Sequence, residues 1–126
     1  MKLNQEVHSP LRAETIQGYI VDAVGDDKDM VLQMVDLFLE SADNLYKEME
    51  SGLAAEDFVT VHRTAHSLKS SSRMFGTDSL TILCVEVEDL AGKKVGDTIR
   101  LLLPYVRAEV DWLGDELPAF CANLLK

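Results

Sequence analysis

The chain has little of several things, and each shortage excludes something. It has no apolar run near the 18 residues of a membrane span. Its start, Met1-Lys2-Leu3-Asn4-Gln5-Glu6, lacks the apolar stretch of a secretory signal. Only two cysteines occur, Cys84 and Cys121, with no metal-type or redox-type spacing and with apolar neighbours. Buried thiols in a reducing compartment fit them better than a disulfide, so a cytoplasmic protein is expected. Aromatic residues make up 6% of the chain, and apolar residues recur at three and four rather than at two, which argues against strands. Basic residues are outnumbered, 12 to 22, for a net charge of −10. That balance argues against a nucleic-acid or anionic-membrane partner. The longest run without acids stands out. From Phe58 to Thr77 there is no Asp or Glu, where the average of 22 acids in 126 residues would place about 3.5.

With 126 residues, 47% hydrophobic and 27% charged, the chain can bury one core without staples. The expected fold class is all-α: an antiparallel four-helix bundle with an additional short N-terminal helix. Residues 1–10 read as a flexible lead-in in which His8 carries no signal, and residues 11–126 as a single domain. A first helix is expected over about Leu11 to Val24, with Ile16, Tyr19, Ile20 and Ala23 inward, ended by Gly25-Asp26-Asp27. The second runs from about Asp27 to Gly52 on a stripe of Val31, Met34, Val35, Phe38, Ala42, Leu45 and Met49. The third, Asp57 to Phe75, repeats Phe58, Val61, Ala65, Leu68, Ser72 and Phe75 and stops at Gly76. The fourth, capped by Thr77 or Asp78, reaches about Lys93 and leaves Glu86, Glu88 and Asp89 mostly solvated. The fifth begins near Asp97 and continues almost to the end. Pro104 and Pro118 are expected to kink or break it, and Gly114-Asp115 is an alternative start for a separate terminal segment.

The acid-free helix carries the chemistry. At 100° per residue, His62, His66, Lys69 and Arg73 form a stripe beside the core seam. His66 and Lys69 sit one turn apart: a solvent-facing imidazole next to a compact cation, with no acid to repel an incoming anion. A neutral imidazole is nucleophilic and accepts a phosphoryl group on a ring nitrogen; the cation steadies the phosphoryl oxygens. The reading requires a ring that is neither packed inside the bundle nor locked against a carboxylate of an adjacent helix. Val59 and Met74 on the outer side of the stripe are either a docking surface or scattered surface hydrophobes. His62 and His66 have the i, i+4 spacing of helical zinc motifs, but no Glu follows His62 and the field is cationic, so no metal is expected. The serine triplet Ser70-Ser71-Ser72 has no nucleophile-elbow motif; Ser71 and Ser72 read as small residues that let helices approach.

Ala65-His66-Ser67-Leu68-Lys69-Ser70-Ser71-Ser72, followed by Gly76, Leu80, Leu83-Cys84 and Val87-Glu88, resembles the histidine-containing phosphotransfer (HPt) domain. Its pattern is roughly A-H-x-L-K-G-[SA]-[SA], then a Gly, then L-x-x-L-C-x-x-L-E. Gly25-Asp26-Asp27, Phe38-Leu39-Glu40 and Asp57 also fall where that family tends to have them. The resemblance implies a phosphorelay intermediate in two-component signalling. His66 would accept a phosphoryl group from a receiver-domain aspartate and pass it to another receiver, with Lys69 stabilising it. Ser70, Arg73 and His62 would support the site; Val59, Arg63, Met74 and Gly76 would dock the partner. Ser70 departs from the usual Gly, which puts docking geometry in question; its hydroxyl is expected to reach the histidine or the phosphate. Partners would be response-regulator receivers and hybrid histidine kinases, with Mg²⁺ supplied by the receiver and no cofactor of the chain's own. No nucleotide-binding motif is present, so a carrier rather than an enzyme is expected, free-standing and monomeric. The alternative is a non-phosphorylated adaptor that binds a receiver or kinase and modulates it.

Overall fold

The computed structural model describes residues 8–25 and 27–125. Five helical segments follow one another. Helix α1 begins α-helically (Ala13–Ile16), passes through a π-helical turn (Gln17–Val21) and ends with another α-turn (Asp22–Val24). Then come α2 (Lys28–Ala54), α3 (Phe58–Met74), α4 (Asp78–Gly92) and α5 (Gly96–Leu124). Short turns join the last four. Each packs on its chain neighbours, and α2 also packs on α5, which closes the bundle.

The apolar repeats fix which faces meet. Val31, Val35, Phe38, Ala42, Tyr46 and Met49 of α2 face Val61, Ala65 and Leu68 of α3, Leu80, Cys84 and Val87 of α4, and Ile99, Leu103, Val106 and Leu113 of α5. Each fully buried Leu, Ile or Val in this set is worth about 1.5–3 kcal/mol relative to exposure. Phe38 stacks on Phe75, ring centroids 4.6 Å apart, and closes the core where α3 ends. Asp27 caps α2 by accepting from the Asp29 and Met30 amides, and Asp57 caps α3 by accepting from the Thr60 amide and hydroxyl.

Several expectations are corrected. In α1, Val21 is buried and Tyr19 and Ala23 are exposed. The π-turn's i→i+5 bonding rotates the register, so residues spaced for an α-helix no longer share a face. Helix α2 passes through Gly52 and ends two residues later. Gly52 is buried, and a Cβ there would meet the Thr60 methyl at 3.1 Å; it serves the approach of α2 to α3, and the left-handed turn falls on Glu56 (φ 55°). Helix α5 runs unbroken through Pro104, Gly114 and Pro118. The carbonyls these prolines leave without a partner belong to Arg100 and Gly114, both exposed and so open to water. Thr77 caps α4 without a side-chain bond; its hydroxyl donates back to the Ser72 carbonyl.

The flexible lead-in expected over residues 1–10 is corrected at its end alone. Residues 1–7 lie outside the described residues, as does Asp26, but residues 8–10 are docked. The His8 ring stacks on Trp112 at 4.4 Å and 10°, and its Nδ1 is 2.6 Å from Glu109 Oε1. The Ser9 amide donates to Ser79 Oγ. His8 is therefore a fastening between the chain's start and α5.

Candidate functional site

Because Asp57 starts α3 and Val61, Ala65, Leu68 and Ser72 turn inward, the flank of that helix is left to His62, His66, Lys69 and Arg73. The His66 side chain is 57% exposed. Lys69 is mostly covered, its stem laid along α4 and its Nζ 2.6 Å from Glu88 Oε2. The other oxygen of the same carboxylate, Oε1, lies 3.0 Å from His66 Nδ1 and 3.8 Å from His62 Nε2. One carboxylate is thus ringed by two imidazoles and an ammonium.

The expectation of a site free of acids is overturned. The acid-free run is real along α3, but Glu88 arrives from α4, where it is half-buried rather than solvated. Spacing along one helix says nothing about a neighbour. Glu88 follows buried Val87 and stands one turn after buried Cys84, and that place on the flank of α4 was the available signal. The requirement that no neighbouring carboxylate hold the ring therefore fails in part. What Glu88 takes is one nitrogen. The Lys69 ammonium, and after it the His66 ring, hold the Glu88 carboxyl below the usual carboxylate range. An ionised carboxylate only accepts, so His66 Nδ1 carries the proton and Nε2 the lone pair. Nε2 has no hydrogen-bond partner among the described residues. The contact orients the ring and selects its nucleophilic nitrogen while leaving the ring in solvent.

The serine triplet bonds to its own helix. Ser70 Oγ donates to the His66 carbonyl, not to the imidazole, and Ser71 Oγ to the Ser67 carbonyl. Ser72 Oγ donates to the Lys69 carbonyl and pairs with Thr81 Oγ1 at 2.6 Å, pinning α3 to α4. Ser70 is exposed one turn beyond His66, so its side chain crowds neither the ring nor Nε2.

Of the expected docking residues, Val59 is 81% exposed and Met74 is also exposed. Arg63 is exposed and pairs with Glu48 of α2 at 3.1 Å. Gly76 is buried: at φ 66° it turns the chain, and a Cβ there would press on Arg12 at 3.0 Å. It shapes the α3–α4 turn and offers nothing to a partner. Ile82 and Val85 of α4 are also exposed apolar residues, which the reading of that helix's acids did not single out. Val85 borders a shallow depression of about 410 Å³ lined also by His62, Lys69, Glu88 and Lys93. Cys84 lies under the site with its thiol pushed up to about 12 by burial, so it supplies no thiolate. Among the described residues no group of three or more His, Cys, Asp or Glu is placed to hold a metal, and no helix is long and apolar enough to cross a membrane.

The described residues thus form a helical bundle that presents an exposed imidazole beside a lysine. The Hpt domain family matches residues 33–120; the chain belongs to that family. Among solved structures, it is similar to histidine-containing phosphotransfer protein B (HptB) from Pseudomonas aeruginosa PAO1. The TM-score is 0.71 at 20% identity, covering 91% of this chain and 90% of that one. It is also similar to a putative histidine-containing phosphotransfer protein from rice, with a TM-score of 0.74 at 24% identity, covering 89% of this chain and 79% of that one. At these identities the two structures bear on the fold alone. No curated protein sequence matches the chain.

Proposed function

We propose that this protein is a phosphorelay intermediate that takes a phosphoryl group on His66 Nε2 from a receiver-domain aspartyl phosphate and hands it to a second receiver. The observation that carries the reading is the half-constrained ring: Nδ1–H fixed on Glu88, Nε2 unpartnered, and the side chain 57% exposed.

In the transfer, the Nε2 lone pair attacks phosphorus in line as the bond to the aspartate oxygen breaks, its electron pair leaving on the carboxylate. The Nδ1 proton stays on the ring, which becomes an imidazolium facing Glu88. The carboxylate thus stabilises charge that grows during the step and is absent before it. Lys69, held beside the ring by the same carboxylate, is placed to turn toward the phosphoryl oxygens. Mg²⁺ belongs to the receiver, and this chain contributes a nucleophile, a cation and a fitted surface. Val59, Met74, Ile82 and Val85 supply apolar area for docking; Arg73, two turns beyond His66, adds a cation without an ion-pair partner among the described residues.

The test is incubation with a phosphorylated receiver and Mg²⁺. The protein should gain an acid-labile, base-stable label that His66→Gln does not take. If His66→Ala weakens binding to a receiver but leaves the biological output intact, the adaptor role replaces this one.

A further inference from the structure

His62 faces the same carboxylate as His66 and has no part in the transfer as described. Its Nε2 is 3.8 Å from Glu88 Oε1, just beyond a hydrogen bond, and its side chain is 48% exposed. We propose that His62 is a positioning residue whose protonation is coupled to phosphorylation. When His66 carries the phosphoryl group, His62 takes up a proton and closes on the Glu88 carboxylate that Lys69 has partly released. The inference rests on the reading of His66 as the phosphoacceptor.

Lys69 and Glu88 are the starting point. At 2.6 Å from Oε2, the ammonium is committed to the carboxylate, and it reaches phosphoryl oxygens only by loosening that contact. Transfer also changes the local charge. The ring gains one positive charge as Nε2–P forms, the phosphoryl oxygens bring two negative ones, and the Nδ1 proton stays in place, so the site gains one negative unit. His62, one turn before His66, is the ionisable group placed to answer it. The groups that face it are few. From α4 come Glu88, Asp89 and Lys93, of which Asp89 and Lys93 are paired with each other at 3.0 Å. From its own helix come His66, Lys69 and Arg63, and Arg63 is turned to Glu48 of α2. The field at His62 is therefore set mainly by Glu88 and by what His66 carries. Linkage makes the effect reciprocal: a proton on His62 favours the phosphorylated state by the factor by which phosphorylation favours the proton.

The experiment loads His66 from phosphoramidate, a small phosphoryl donor that needs no partner, and follows the ring signals of His62 by NMR across the range in which imidazoles charge. The midpoint of His62 should move upward by about half a pH unit or more on phosphorylation, as one added charge a turn away requires. The phosphoryl-transfer equilibrium with a receiver should then shift toward this protein, relative to His62→Gln, by about threefold as pH falls through that range. Protonation of unmodified His66 affects both proteins alike and cancels in the comparison. An unchanged His62 midpoint, or parallel pH profiles for the two proteins, overturns the coupling and leaves the carrier reading intact. A His66 ring left unmodified by both phosphoramidate and a phosphorylated receiver with Mg²⁺ overturns both.

Discussion

The molecule makes the same contact twice and uses it in opposite ways. In each case a histidine Nδ1 meets a glutamate Oε1: His66–Glu88 at 3.0 Å and His8–Glu109 at 2.6 Å. Around His8 both side chains are nearly covered, 11% and 9% exposed, and the ring is clamped on Trp112. Around His66 the ring is 57% exposed and the carboxylate is shared with Lys69. The carboxyls respond accordingly: Lys69 holds Glu88 below the usual range, whereas burial pushes Glu109 above it despite His8. A histidine–carboxylate pair is thus a fastening when both partners are buried, and a poised nucleophile when the carboxylate has a second cation and the ring keeps one nitrogen in water.

Exchanging the histidines separates the two uses most sharply. His66→Gln should abolish phosphoryl uptake from a receiver, a loss of more than about 100-fold, with a melting temperature close to the parent's. His8→Gln should leave uptake within about twofold. In stability the order reverses: His8→Ala removes the stack on Trp112 and strands Glu109, costing about 1–3 kcal/mol in denaturant unfolding.

Next comes the carboxylate and its second cation. Lys69→Ala and Glu88→Gln should each slow transfer about 10-fold or more in a rapid-quench assay, with helicity unchanged. Their pH signatures differ from that of Glu109. Because Glu88 titrates lower folded than unfolded, its stabilising contribution is present above the ordinary carboxylate range and is lost as pH falls through its folded value. Glu109 has the opposite sign: its raised folded value means stability lost as pH rises through that value. Thermal melts of Glu109→Gln should therefore gain on the parent as pH rises above the ordinary value of 4.5, and those of Glu88→Gln should fall behind as pH rises toward 4.5 and keep a constant deficit above it.

The smallest effect belongs to Ser70. Among the described residues its hydroxyl bonds only to the His66 carbonyl, so Ser70→Gly should change the transfer rate by less than about threefold. It should cost about 0.5 kcal/mol of stability through backbone freedom in the helix.

The two pairs also mark what could be read from the chain. The seams of α2 to α5, their approximate limits and the flank holding His62, His66, Lys69 and Arg73 follow from helical periodicity, which one helix displays by itself. Contacts between helices do not. Glu88 lies 22 positions from His66 and Glu109 101 from His8; the periodicity of one helix announces neither meeting, and only the place of Glu88 on the flank of α4 hints at the first. Gly76 ends α3 as its position announced, but Gly52, Pro104 and Pro118 do not end their helices, for a related reason. The missing Cβ of Gly52 serves the approach of α3 rather than a helix end, and the carbonyls freed by the prolines face outward. The π-turn of α1 changes the period itself, so Tyr19 and Val21 traded faces.

The central claim is that Glu88 leaves Nε2 of His66 as the reacting atom. It is tested most directly by selective ¹⁵N labelling of histidine, incubation with a phosphorylated receiver and Mg²⁺, and NMR detection of the nitrogen coupled to phosphorus. The account predicts coupling at Nε2 of His66 and a proton retained on Nδ1. Phosphorus on Nδ1, on another histidine, or on no nitrogen at all would contradict it.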